Sequence, residues 1–149
     1  MGFKFRYEAL LKYRNHIKEK AEINLSRARN KLRQDKDQLA TYRDAVKETS
    51  RELDSGLKQA LSASMLQAYS EHITLLQVRI EAQKVEIYNS EKIVQDRIHD
   101  LRKKTVQYKV IEKLKEKDFK KWYQEQNYLE QKEIDEMAVV RFGKDFLQG

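Results

Sequence analysis

Few residues of this 149-residue sequence have the type and spacing that catalysis or metal binding requires. The three histidines, His16, His72 and His99, are far apart, and none has a second histidine one helical turn away. Cysteine is absent, which excludes disulfides and thiolate-bound metals. Glu133 and Glu136 form an acidic pair, but water around an exposed helix prevents the pKa tuning that acid–base catalysis needs. We therefore predict that the protein is not an enzyme and binds no cofactor.

The elements that carry these residues are predicted to be helices. The chain has no proline and four glycines, with 37% charged and 40% apolar residues. That balance is typical of narrow apolar seams flanked by wide solvated faces. No stretch approaches the roughly 18 apolar residues of a membrane span, and the first residues contain charges where a signal peptide needs an apolar core. We expect a cytoplasmic protein.

Two apolar seams with steps of three and four residues predict a coiled coil. The first seam has two successive steps of four around Ala21 and Leu25, a stutter that locally unwinds a supercoil. Asp35 and Thr49 occupy core positions and indicate that the register is specified. The first seam contains Phe3, Tyr7, Leu10, Arg14, Ile17, Ala21, Leu25, Ala28, Leu32, Asp35, Leu39, Tyr42, Val46, Thr49 and Leu53, and the second contains Tyr69, Ile73, Leu76, Ile80, Gln83, Ile87, Ser90, Val94, Arg97, Leu101, Lys104, Tyr108 and Ile111.

A short gap between the seams predicts an antiparallel hairpin. We expect helix 1 at about 3–57, a turn at about 56–65 with Ser62 or Ser64 as helix cap, and helix 2 at about 66–142. This register places Phe3 opposite Phe119, so later residues form a C-terminal helical overhang. The predicted fold is all-α: one elongated, monomeric, antiparallel coiled-coil hairpin spanning residues 1–149.

Charge and aromatic residues concentrate at the open end of this hairpin. Residues 1–33 hold ten basic and three acidic residues, and residues 97–121 hold ten and four. Such a field attracts acidic partners. A nucleic-acid-binding basic coiled coil is one alternative, although no reading module is present, and a coiled coil that self-assembles through its overhang is another.

The residues where the two helices run out have two interpretations. Phe119 and Trp122 either cover the end of the seam by packing on Phe3 and Phe5, or anchor a partner. Beyond them, an apolar stripe that nothing in the hairpin covers indicates an interface. It contains Leu129, Ile134, Met137 and Val140.

Three segments resemble the flagellar FliJ family of export proteins. They are the basic N-terminal stretch FKFRYEALLKYR at 3–14, KLKEK at 113–117 and EQKEIDEMA at 130–138. The resemblance implies a soluble component of the flagellar type III export apparatus. Such a protein would act as a stalk, similar to the gamma subunit of rotary ATPases, in the hexameric export ATPase. It would also bind the membrane export gate protein FlhA and the export chaperones, with no small-molecule substrate.

The same resemblance implies two sets of binding residues and a location. The protein would be cytoplasmic and peripheral at the inner membrane, which it would reach only through the gate; the equivalent stalk of a virulence injectisome is a close alternative. The ATPase-binding set is Phe3, Phe5, Arg6, Leu10, Trp122, Gln131, Glu133, Ile134, Asp135, Glu136 and Met137. The export-gate set is Gln38, Tyr42, Leu76 and Gln83.

Overall fold

Two helices make up almost all of the chain. The computed structural model describes the backbone of residues 2–148 and the side chains of residues 2–144. Helix α1 spans Glu8–Lys58 and helix α2 spans Ala63–Gln148. The described residues contain no strand. The prediction of an all-α, two-helix antiparallel coiled coil is confirmed.

The first residues differ from the expected helix. We expected α1 to begin near residue 3, but it begins at Glu8 after a turn at Arg6 and Tyr7. Phe5 is buried and Phe3 half-buried, whereas Lys4 and Arg6 between and beyond them are exposed. This alternation suits an extended segment, in which every second side chain faces the same way. A helix would point the two phenylalanines in different directions, so burial of both rings favours the extended form.

The turn between the helices is shorter than expected and closes with a Schellman motif. The Leu61 N–H donates to the Gly56 carbonyl (3.1 Å), and the Ala60 N–H donates to the Leu57 carbonyl (3.4 Å). Ala60 takes the left-handed conformation, with φ of 52°, a position usually given to glycine. Ser62 then caps α2 by accepting the Met65 N–H at 3.3 Å. Ser62 is thus the cap, rather than Ser64.

Gly56 has a different role from the one its helix propensity indicates. It lies inside α1, and a Cβ atom added to it would lie 2.8 Å from Cδ1 of Leu61. The missing side chain therefore lets Leu61 fold back over the last turn of α1. Leu61 follows the left-handed Ala60, and a residue at this position of a Schellman motif commonly folds back over the end of the helix.

The described residues divide into two compact units, each with its own core. The first unit combines residues up to Lys18 with those from Lys104 onward, and the second is Glu19–Lys103. The sequence led us to expect one domain; whether the chain behaves as a single folding domain stays a prediction.

The core of the unit Glu19–Lys103 follows the predicted seams with one correction. Leu25, Ala28 and Val94 are buried, and Leu32, Ile98 and Leu101 pack against them. Arg97, which we placed in the seam, is exposed, and Ile98 takes its place. The steps Ser90, Val94 and Ile98 are two successive fours, so α2 contains a stutter like the one in α1. The local unwinding therefore occurs in both helices.

The other unit confirms the predicted register. Its core contains Phe5, Leu11 and Ile111, with Phe3, Leu10, Tyr108 and Leu114 packed around them. Arg14 donates to the Gln107 carbonyl at 2.8 Å, and Lys115 forms a salt bridge with Glu8 at 2.9 Å. The Phe3 and Phe119 rings are 5.4 Å apart. Beyond Phe119 and Trp122, α2 continues to Gln148 without a facing helix among the described residues, farther than the expected end at 142.

Candidate functional site

An aromatic cluster closes the paired part of α2 and precedes its unpaired extension. The ring of Phe3 lies 5.4 Å from Phe119 and 5.9 Å from Trp122, and Phe119 lies 6.3 Å from Tyr123. Packing on Phe3 is therefore one function of Phe119 and Trp122. Phe119 is nevertheless 45% exposed, so the cluster also presents aromatic surface next to the extension.

The N-terminal candidates differ in how accessible they are. Phe5 is buried with Leu11 and Ile111, so in this conformation its ring supports the surface from beneath, and its role in ATPase binding stays a prediction. Leu10 and Phe3 are half-buried, and Arg6 is exposed, with its guanidinium 5.4 Å from the Tyr7 ring centroid. Arg6 is thus the member of this group best placed for direct contact.

Residues 123–144 of α2, which we call the C-terminal extension, bring the predicted tail residues onto a single exposed helix. The described side chains from residue 127 to Phe142 are all exposed. Gln131 donates to the Asp135 carboxylate at 3.0 Å, an interaction within the helix. The apolar members of the predicted stripe are about equally open, with exposed fractions of 51% for Leu129, 58% for Ile134, 59% for Met137 and 57% for Val140.

A shallow groove runs along one face of this extension. Its lining side chains are Glu133, Glu136, Met137, Val140, Arg141 and Lys144. The order along the helix is acidic, apolar, basic. Between described residues, no salt bridge or hydrogen bond involves any of its four charged side chains. Arg141 and Lys144 were not among the predicted site residues, although their helical spacing from Met137 and Glu133 was a usable signal.

A second apolar group on the extension also escaped the sequence analysis. Tyr128, Val139 and Phe142 are 68%, 71% and 74% exposed. They lie away from the groove, because residues at these spacings fall on a different side of the helix. An exposed helix with apolar residues on more than one side is typical of a helix that is enclosed by its partner.

The four candidate gate residues belong to the unit Glu19–Lys103, but they do not form one surface. Leu76 is only 3% exposed, which agrees with its position in the predicted seam, so its side chain is not accessible in this conformation. Gln83 donates from Nε2 to the Asp35 carbonyl at 2.9 Å. Gln38 is exposed and Tyr42 is half-buried, and only these two are accessible. Their role in gate binding stays a prediction.

The most ordered polar cluster of that unit is structural. Asp35 and Ser90 are buried, and the Ser90 hydroxyl donates to Oδ2 of Asp35. Lys31 reaches Oδ1 of the same carboxylate at 2.6 Å. The hydrogen bonds from Lys31 and Ser90 hold the pKa of the Asp35 carboxyl below its ordinary value. The cluster joins both helices at a core position and is closed to ligands.

Metal and membrane chemistry find no support in the described residues. No group of three or more His, Cys, Asp or Glu side chains in this part of the chain is arranged to hold a metal ion. No helix within it is both long and apolar enough to cross a membrane.

Known proteins resemble this chain in sequence and in fold. Residues 3–145 match the model of the family described as flagellar FliJ protein. The chain belongs to the FliJ family. A solved structure described as that of a YscO homologue from Chlamydia trachomatis has the same fold, with a TM-score of 0.58. The two sequences are 20% identical over 93% of this chain and 94% of that one. None of the curated proteins compared with the sequence matches it.

Membership of the FliJ family extends through the extension and the groove. The matched range begins at Phe3 and ends at residue 145, so it includes both the aromatic cluster and all six groove residues. The FliJ resemblance noticed in three short segments is thus confirmed over nearly the whole sequence.

Proposed function

We propose that this FliJ-family chain is a non-enzymatic component of the flagellar type III protein export apparatus. In this proposal it acts as a gamma-subunit-like stalk in the hexameric export ATPase, contacts the export gate protein FlhA, and associates with export chaperones. It works in the cytoplasm and reaches the membrane only through the gate. Family membership supports the assignment to the export apparatus, and the unpaired C-terminal extension is the observation that supports the stalk role.

The extension has the properties that a stalk contact requires. Its apolar side chains are more than half exposed, yet Leu129 and Val140 continue the helical period of the seam that is covered at Ile111 in the same unit. Exposed apolar surface of this kind marks an interface. Where the extension begins, the aromatic rings of Phe119, Trp122 and Tyr123 pack together. Aromatic residues are frequent binding hot spots.

A single helix inside a ring of identical subunits has a further consequence. The groove and the group Tyr128, Val139 and Phe142 differ in charge and shape, so ring subunits on different sides of the helix would meet different chemistry. A partner that binds one subunit conformation better than another shifts the population toward that conformation. We therefore propose that the extension biases nucleotide exchange or assembly at some ring positions.

The test is binding of the purified export ATPase to a chain lacking residues 123–149 and to point variants. Met137→Asp places a charge within the apolar part of the extension and should weaken binding at least about tenfold. Val85→Asp is the matched control, because Val85 and Met137 are both 59% exposed. Val85 lies in the other unit and its variant should bind like the wild type.

The outcome distinguishes this proposal from its alternatives. Normal ATPase binding and stimulation by the truncated chain would require the stalk assignment of the extension to be abandoned. A salt titration against generic DNA tests the nucleic-acid alternative, because phosphate contacts lose affinity steeply with salt. Tight, salt-sensitive DNA binding together with no ATPase binding would favour that alternative.

A further inference from the structure

The groove on the C-terminal extension has a polarity that makes it complementary to itself. Glu133 and Glu136 lie at its N-terminal end, Met137 and Val140 in the middle, and Arg141 and Lys144 at its C-terminal end. A two-fold axis between Ala138 and Val139 places Glu133 of one copy beside Lys144 of the other, and Met137 beside Val140. Along the middle of the groove an acidic side chain would then face a basic one and the two apolar side chains would face each other, whereas Glu136 and Arg141 lie on opposite flanks and do not meet.

We infer that this groove pairs with the same groove of a second copy of the chain, as an antiparallel helix pair. The contact is isologous, so it closes at two chains and does not propagate. The inference goes beyond the proposed function, because it needs no component other than this protein. It also differs from the monomer expected from the seams, which do not reveal the order of charges in the groove.

The absence of partners for these side chains among the described residues supports the inference. The four groove charges have no salt-bridge or hydrogen-bond partner among the described residues, while Met137 and Val140 expose more than half of their surface. Pairing would cover the apolar centre and bring Glu133 and Lys144 next to each other's opposite charge. A parallel pair would instead place Glu133 beside Glu133 and Lys144 beside Lys144, which is repulsive. The charge order therefore selects the antiparallel arrangement.

The expected dimer is weak. Only a few turns of helix per chain enter the contact, and small interfaces belong to the transient class. Between residues 129 and 144 the extension holds four acidic and three basic residues, so little net charge opposes association. We expect dissociation constants between micromolar and millimolar, weakening as salt is added.

Charge reversal provides a test that does not depend on the ATPase. Sedimentation equilibrium of the full chain is measured over a concentration series, for the wild type and for Glu133→Lys, Lys144→Glu and the double variant. Each single reversal replaces two attractive contacts per dimer with two repulsive ones and should weaken dimerisation about tenfold. The double variant restores opposite charges and should dimerise within about threefold of the wild type, since the same pairs are present with exchanged signs.

Lys132→Glu is the matched control, because Lys132 lies on the extension but not in the groove, and it should leave the dissociation constant unchanged. Far-UV circular dichroism confirms that all variants keep their helix content. A wild type that stays monomeric into the millimolar range, or a dimer that neither single reversal weakens, would overturn the inference. A double variant that stays as weak as the single ones would overturn the antiparallel register.

Discussion

Removal of one buried hydroxyl should measurably destabilise the coiled coil and change how its stability depends on pH. Ser90 donates to Oδ2 of Asp35, and both side chains are buried, at 4% and 6% exposure. In Ser90→Ala the carboxylate keeps the 2.6 Å contact with Lys31 but loses the hydrogen bond that Oδ2 accepts from the facing helix. A hydrogen bond to a charged group contributes about 1.5–3 kcal/mol, and this is the expected loss.

The higher helix propensity of alanine partly offsets this loss in the free energy of unfolding. Alanine has a higher helix propensity than serine, by about 0.5 kcal/mol. Ser70→Ala, at an exposed position of the same helix and unit, gains this term without losing the bond to Asp35. Relative to Ser70→Ala, the variant Ser90→Ala should therefore unfold about 1.5–3 kcal/mol more easily, and relative to the wild type about 1–2.5 kcal/mol.

The pH dependence follows from the lowered pKa of Asp35. Because the folded-state pKa lies below the ordinary value of 3.8, the carboxylate adds stability that is fully present above that value. This stability is lost as the pH falls through the folded-state pKa. The hydrogen bond from Lys31 lowers the pKa of Asp35 most, and the one from Ser90 comes next. Ser90→Ala lacks the second of these, so it loses less stability as the pH falls. The difference in free energy of unfolding between the wild type and Ser90→Ala should therefore shrink to about 1 kcal/mol or less at low pH. There the carboxyl is protonated and Ser90 makes only a neutral hydrogen bond.

Urea denaturation followed by circular dichroism measures both effects. The wild type, Ser90→Ala and Ser70→Ala are unfolded at neutral pH and at several values below pH 4, with equal ionic strength. A loss under about 0.5 kcal/mol at neutral pH would place Ser90 among ordinary surface positions and refute the reasoning. A loss that is the same at neutral and acidic pH would show that Ser90 acts through packing and not through the carboxylate.

Three other substitutions test the turn, the core and the gate surface. Ala60→Gly should raise stability by about 0.5–1 kcal/mol, because it relieves the left-handed strain but adds freedom to the unfolded chain; a lower thermal midpoint would contradict the Schellman assignment. Leu76→Ala should lower the free energy of unfolding by about 2–5 kcal/mol. Leu75→Ala, at a 46% exposed site, should lower it by under about 0.5 kcal/mol. Equal losses for the two variants would contradict the burial of Leu76. Gln38→Ala combined with Tyr42→Ala should weaken FlhA binding more than ATPase binding in pull-down titrations, and unchanged FlhA binding by a folded variant would place the gate contact elsewhere.

The register of the hairpin could be predicted because two constraints agree. The apolar steps define which face of each helix is covered, and a short turn leaves little freedom in how far one helix slides along the other. The contact between Phe3 and Phe119 was expected from these constraints, and the hydrogen bond from Arg14 to the Gln107 carbonyl agrees with the same register.

The errors occurred where a three–four pattern allows more than one choice. Arg97 and Ile98 both fit a step after Val94, and the more apolar residue is covered because desolvating an arginine side chain is costly. In α1 the predicted seam contains Leu10, whereas Leu11 is the more buried of the two. The non-helical start explains this, since Phe5 fills the position beside Leu11 and Ile111.

The site was less predictable than the fold, since exposure of a helix face does not follow from its period. The sequence indicated the apolar stripe of the extension, and the resemblance implied a function for residues 130–138, but both omitted Arg141 and Lys144. These basic residues follow the segment EQKEIDEMA and so fall outside the resemblance, although they lie on the same helix face. The resemblance implied gate binding for Leu76, which the sequence also placed in the seam, and the side chain is buried there.

Polar residues at seam positions explain how the paired core and the extension differ. In the core, Asp35 is tolerated because Ser90 on the facing helix and Lys31 on its own helix satisfy the carboxylate. In the extension, Glu133 and Lys144 lie on the face of Met137, but no facing helix supplies their partners among the described residues. Met137 and Val140 between these charges would be unfavourable on a face exposed only to water. A face built for a second helix needs both, and its charge order then limits which helix it accepts: basic residues must face Glu133 and Glu136, and acidic residues must face Arg141 and Lys144. The same charge reversals that dissociate two copies of this chain should therefore also weaken any ATPase helix that occupies the groove, and binding of that ATPase should release the dimer.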